Sequence, residues 1–176
     1  MFFYPNSTVA FTGRRTYRGQ ADDLMQHVVG QLAGRGFRTF LCGMAMGFDL
    51  AAAECVLRVA GRYRDVELVA VVPFTGQAER YPAADRERYE QIIREADGVV
   101  TLSQEYTPHC YAVRNDFLTD HASVLVAWYD GRKNGGTHYT VTRARRRGME
   151  VINLWPDEQR ELDFGASQLL EQANDV

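Results

Sequence analysis

Six short apolar runs, separated by segments with helical spacing, constrain this chain more than any other feature. The runs fall at residues 7–12 (STVAFT), 37–42 (FRTFLC), 67–73 (ELVAVVP), 99–103 (VVTLS), 123–128 (SVLVAW) and 151–155 (VINLW). ELVAVVP is apolar almost throughout, which is what a strand covered on both faces requires. Between the first two runs, Ala21, Leu24, Met25, Val28 and Leu32 recur at helical intervals, and Gly34 and Gly36 should end that helix. A second helix is expected to stop at Gly61, a third spans residues 85–96, and a fourth starts at Pro108 with Thr107 as its N-cap. A fifth covers residues 137–147. Regular alternation of this kind predicts an α/β fold: one domain with a doubly wound, mostly parallel sheet and helices on both faces. Beyond Pro156 a polar tail is expected, with a short helix at residues 167–172.

With 176 residues, the chain can bury roughly 70% of its unfolded surface without a covalent staple. Cys42, Cys55 and Cys110 are odd in number and lack CxxC spacing, so neither a disulfide framework nor a zinc cluster is expected, and a reducing cytoplasm fits. The start, MFFYPNSTVAF, lacks a basic segment and is broken by Pro5, which argues against a secretory leader. No apolar run approaches a membrane span, and no membrane partner is expected. A net charge of −3 gives no overall attraction to polyanions.

In such sheets a ligand binds outside the carboxyl ends of the strands. Four loops therefore matter: Gly13 and Arg14 after the first strand, residues 43–49 after the second, residues 73–77 after the third, and residues 130–137 after the fifth. In the second loop, CGMAMGFDLAAAE, Gly43 and Gly47 can take positive φ, and the first N–H groups of the following helix would face an anion. Gly135, Gly136 and Thr137 repeat that logic. Asp49 either caps its own helix or accepts from a ribose hydroxyl. Arg114 falls within a stripe formed by Cys110, Val113, Phe117 and His121, so it should face inward. A buried guanidinium needs an anionic partner, either a carboxylate such as Asp49 or Glu79 or the phosphate of a ligand.

Taken together, FTGRR, CGMAMGFDLAAAE, VVPF, YAVRNDFLTDHASVLVAWYDG and GGT resemble the SLOG superfamily, which includes the DprA and LOG proteins, and most of all its YpsA-like branch of small Rossmann-like proteins. The resemblance covers residues 7–155. It implies binding of a nucleotide or nucleotide-derived ligand, such as ADP-ribose, NAD or a nucleoside phosphate, with contacts from Gly13, Arg14, Gly43, Gly47, Asp49, Arg114, Gly135, Gly136 and Thr137. The LOG hydrolases are similar in carrying the arginine but have PGGxGTxxE, and here Thr140 stands where the glutamate would fall. A threonine cannot supply the charge that an oxocarbenium-like state wants, so only Glu54 or Glu79 is left to replace it, and no catalytic residue is assigned.

The remaining polar groups point elsewhere. His27, His109, His121 and His138 show no metal-ligand spacing, and His121 reads as a core histidine near a helix end. Arg143, Arg145, Arg146 and Arg147 would suit DNA, as in DprA-like single-strand binding, but they also complement a helix C-terminus. Phe74, Tyr81, Trp128 and Tyr129 are candidates to stack a base. The residues leave a homo-oligomer open.

Overall fold

The computed structural model describes residues 3–156, and the expected tail helix lies outside them. After one 3₁₀ turn at Pro5–Ser7, β1 (Thr8–Gly13), β2 (Thr39–Cys42), β3 (Glu67–Val72), β4 (Gly98–Thr101), β5 (Val124–Trp128) and β6 (Glu150–Asn153) form the sheet. Five helices connect them: α1 (Asp22–Gly34), α2 (Phe48–Ala60), α3 (Ala83–Glu95), α4 (Cys110–Asp120) and α5 (Gly135–Arg146). Every pairing is parallel, in the order β4-β3-β2-β1-β5-β6. The sheet is therefore all parallel rather than mostly so, and the fold is a single Rossmann-like α/β domain. The chain works outward from β1 to β4, then crosses back through α4 to place β5 on the other side of β1. That reversal is the topological switch point.

Alternation along the strands feeds two cores. Val9, Phe11, Phe40, Leu68 and Val126 pack with α1 and α2, while Ala10, Leu41, Val69, Leu125 and Ala127 pack with α4 and α5. Successive residues of one strand thus serve opposite faces, which is why the central runs read as unbroken apolar sequence.

Glycine ends two of the helices. At the end of α1, Gly36 has a φ of 97° and donates to the Ala33 carbonyl, while Phe37 donates to that of Leu32. Gly148 and Met149 repeat the pattern after α5 on the carbonyls of Arg145 and Ala144. Phe37 is thereby spent on closing α1, and β2 starts two residues later than its apolar run. The fourth helix also starts late. Thr107 accepts the Cys110 N–H through its carbonyl in a turn, His109 occupies the N-cap, and no side chain caps the helix.

Candidate functional site

A cleft of about 480 Å³ opens at the switch point, between the end of β1, the face of α4 and the start of α5. Of the nine residues expected to touch a ligand, Gly13, Arg14, Asp49, Arg114, Gly136 and Thr137 line this cleft. Gly43, Gly47 and Gly135 are not part of its wall.

Gly43 and Gly47 shape the cleft from behind. Gly43 does not take positive φ; Met44 does, at 61°. What Gly43 provides is room, because a β-carbon there would lie 2.7 Å from the Arg114 Cζ and 2.9 Å from the Asp49 Oδ2. Gly47 has a φ of 79°, and a β-carbon on it would lie 2.6 Å from the Arg15 carbonyl oxygen. Gly13 is equally confined, since Phe48 at the start of α2 occupies the space a side chain would need.

The start of α2 is closed. Phe48 donates its N–H to the Arg14 carbonyl, Leu50 donates to Ala45, and Phe48, Asp49 and Leu50 are all buried. Asp49 neither caps α2 nor faces water. Its Oδ2 accepts the N–H of Ala45, at 3.2 Å, and so holds the preceding loop. The Cys42 thiol donates to the Asp49 backbone carbonyl at 2.9 Å. Burial pushes the Asp49 carboxyl up to about 6, with Arg114 opposing that rise.

Arg114 is 6% exposed. Its Nη1 donates to the Gly43 carbonyl and lies 3.9 Å from the Asp49 Oδ2, and its Nε donates to the Asn115 Oδ1 at 2.9 Å. Asp49 is therefore the internal carboxylate and Glu79 is not. The inward direction follows expectation but the stripe does not: α4 buries Cys110, Arg114, Asn115, Leu118 and Thr119, while Val113 is 51% exposed. Hydrophobicity failed to mark this face because its polar members satisfy one another. The Thr119 hydroxyl donates to the Asn115 carbonyl at 3.1 Å and accepts the Arg143 Nε–H at 2.9 Å.

Arg14 reaches across the switch point. Its Nη2 pairs with the Asp130 Oδ1 at 2.6 Å, joining the loops after β1 and β5, and its Nε is buried without a partner among the described residues. Arg14 also draws the Asp130 carboxyl below its ordinary range, against a rise from partial burial. On the opposite wall the start of α5 stays open. Gly135 and Gly136 are exposed, and Asn134 at the N-cap makes no side-chain capping bond. Its first N–H groups carry the partial positive charge of a helix start toward the cleft.

Sequence reasoning did not single out Arg15, Tyr111 and Asn115, which also line the cleft. The signal was present, since Arg15 adjoins Arg14 and Asn115 adjoins Arg114. Trp128 and Tyr129 are core instead: Trp128 is 3% exposed and meets Tyr17 edge-on, with ring centroids 5.1 Å apart. Neither alternative glutamate lines the cleft. Arg88 holds Glu54 with bonds of 2.7 and 2.9 Å, and Thr140 donates its hydroxyl to the Gly136 carbonyl at 2.8 Å. Among the described residues no helix is long and apolar enough to cross a membrane, and no three His, Cys, Asp or Glu side chains are grouped to hold a metal ion.

Comparison with known proteins places this architecture. A UPF0398 protein of Bacillus cereus is 34% identical over 110 residues, which cover 61% of this chain and 59% of the relative. The match thus spans about three fifths of the relative's length. DNA processing protein A of Streptococcus pneumoniae superposes with a TM-score of 0.64 at 20% identity, over 94% of this chain and 56% of that one. The protein of the same name from Helicobacter pylori gives 0.60 at 17%, over 82% and 63%. These two likenesses establish the fold. The family description that matches residues 20–153 is the YspA SLOG family (YpsA); that match takes in all five helices and the strands from β2 to β6, and the chain belongs to this SLOG family.

Proposed function

We propose that the switch-point cleft binds the phosphate portion of a nucleotide or nucleotide-derived ligand, and that the protein is a binding or sensing module. Arg114 carries this reading. It is a buried guanidinium on a cleft wall whose nearest carboxylate, that of Asp49, lies 3.9 Å away. With its Nε on Asn115 and an Nη1 hydrogen on the Gly43 carbonyl, the guanidinium has its Nη2 end left, among the described residues, to meet a phosphate. The open start of α5 adds backbone donors and Arg15 adds an exposed cation. ADP-ribose, NAD and nucleoside phosphates are the candidate ligands.

Hydrolysis of a glycosidic bond gains less support, because Thr140 brings no carboxylate and its hydroxyl is already engaged. Single-stranded nucleic acid is a second reading, favoured by the Helicobacter pylori neighbour, whose structure concerns its single-stranded DNA binding mode. Steep loss of oligonucleotide affinity with salt would mark it. Arg143 and Arg147 give it little help, since Asp116 and Asp120 already pair with them.

A thermal-shift panel of AMP, ADP, ATP, cyclic nucleotides, NAD, NADP and ADP-ribose tests the proposal. A ligand at a hundred times its dissociation constant should stabilise the wild type by about 2.7 kcal/mol. Arg114→Ala should weaken that ligand by about 1.5–3 kcal/mol. Because Arg114→Ala also leaves Asp49 without its cation, the exposed Arg15→Ala serves as a second variant, with lowered affinity and unchanged stability. A panel with no shift overturns the reading.

A further inference from the structure

Arg15 and Tyr111 belong to two walls at once. They line the cleft and also a neighbouring compartment of about 540 Å³. The Arg15 guanidinium carbon lies 5.9 Å from the centroid of the Tyr111 ring. On the far side of that pair, Phe74, Tyr106 and Tyr111 meet edge-on, with centroids 5.4, 6.0 and 6.4 Å apart. Core packing does not account for this cluster, because Tyr106 is 60% exposed.

Gln77 adds an independent observation. It lines the same compartment and is 4% exposed. Its Nε2 donates to the Gly43 carbonyl at 3.4 Å and to the Tyr81 hydroxyl at 3.1 Å, and that hydroxyl donates in turn to the Met44 carbonyl at 3.1 Å. The chain of donors fixes which way the amide points. Its Oε1 is left buried with no donor among the described residues. A carbonyl in that state calls for an N–H group.

We infer that this compartment holds the nucleobase of the ligand whose phosphates occupy the cleft, stacked on the Tyr106–Tyr111 wall with a base N–H directed to Gln77. The inference rests on the phosphate reading of the cleft. Adenine, guanine, cytosine and uracil all carry an N–H and a π face, so the class is a purine or pyrimidine nucleotide. The Arg15–Tyr111 pair stands at the junction, where the sugar would pass.

The test is calorimetric titration of the full chain with the diphosphates of adenosine, guanosine, cytidine and uridine and with inorganic pyrophosphate. The readout is the ratio of nucleoside diphosphate to pyrophosphate affinity. The best diphosphate should bind about tenfold or more tightly than pyrophosphate, the range that base–aromatic stacking supplies. Tyr106→Ala should reduce that ratio about tenfold, and Tyr106→Phe should keep it. The four bases should differ in affinity by about threefold or more, since the Gln77 acceptor matches their N–H patterns unequally. A ratio near one in the wild type, an unchanged ratio in Tyr106→Ala, or equal affinity for all four bases would overturn the base compartment while leaving the phosphate site standing. Absence of binding by pyrophosphate and every diphosphate would instead remove the phosphate reading itself, and the compartment with it.

Discussion

Two glycine turns in this molecule lead from a strand into a helix, and they have opposite fates. The turn from β2 into α2 is sealed: its donors meet backbone carbonyls, a carboxylate sits beside them, and Gly47 is hemmed in by the chain after β1. The turn from β5 into α5 is open: Gly135 has no atom within 4 Å of where a β-carbon would sit, and Gly136 lines the cleft. Similar local sequence thus builds scaffold in one place and an open cleft wall in the other. What decides between them is the neighbour. The segment of residues 13–16 folds over the first turn, whereas the second faces the gap left by the reversal of strand order.

Exchanging a hydrogen for a methyl group at each turn is the strongest way to test this contrast. Gly47→Ala combines a positive φ with a backbone oxygen 2.6 Å from the new carbon, so it should destabilise by about 4 kcal/mol, read from urea unfolding. Should that variant match the wild type, the first turn is not the rigid scaffold described. Next in size is the pH response of Asp49. Its carboxyl rises from an ordinary 3.8 to about 6 on folding, so the folded state holds the proton more tightly than the unfolded chain. Its contribution to stability is present below pH 4 and is lost as pH rises through 6, about 3 kcal/mol in all. In Asp49→Asn that component should vanish, and the difference in unfolding free energy between variant and wild type should move in favour of the variant between pH 4 and 7. A pH-independent difference would mean that Arg114 fully holds the charge. The smallest effect belongs to Gly135→Ala, where open space leaves only the backbone cost at a φ of 76°, about 1 kcal/mol.

How much of this was legible in the sequence follows the same division. Strand positions and the ends of α1 and α2 could be read because they depend on local apolar spacing and on Gly36 and Gly61, whereas the crossing that places β5 beside β1 had no local signal. The inward direction of Arg114 was legible too, although the face around it was drawn through Val113 instead of Asn115 and Thr119. Partnerships made through loop shape were not legible. Nothing in CGMAMGFDLAAAE says that Met44 takes the left-handed backbone, and that conformation belongs to the loop that brings the Ala45 N–H to Asp49. Likewise Glu54 is indistinguishable in sequence from a site residue until Arg88 of α3 is seen to hold it.

The Gly43 carbonyl has a consequence of its own. Its two lone pairs accept from two side chains, Arg114 on the cleft side and Gln77 on the compartment side. One oxygen is therefore a shared terminal for both halves of the groove. An occupant that draws Arg114 away changes what Gln77 can offer, and the reverse must hold by the same free energy. A nucleotide spanning both would find its two ends linked through the protein as well as through its own sugar, so its two halves, supplied as separate fragments, should not bind independently.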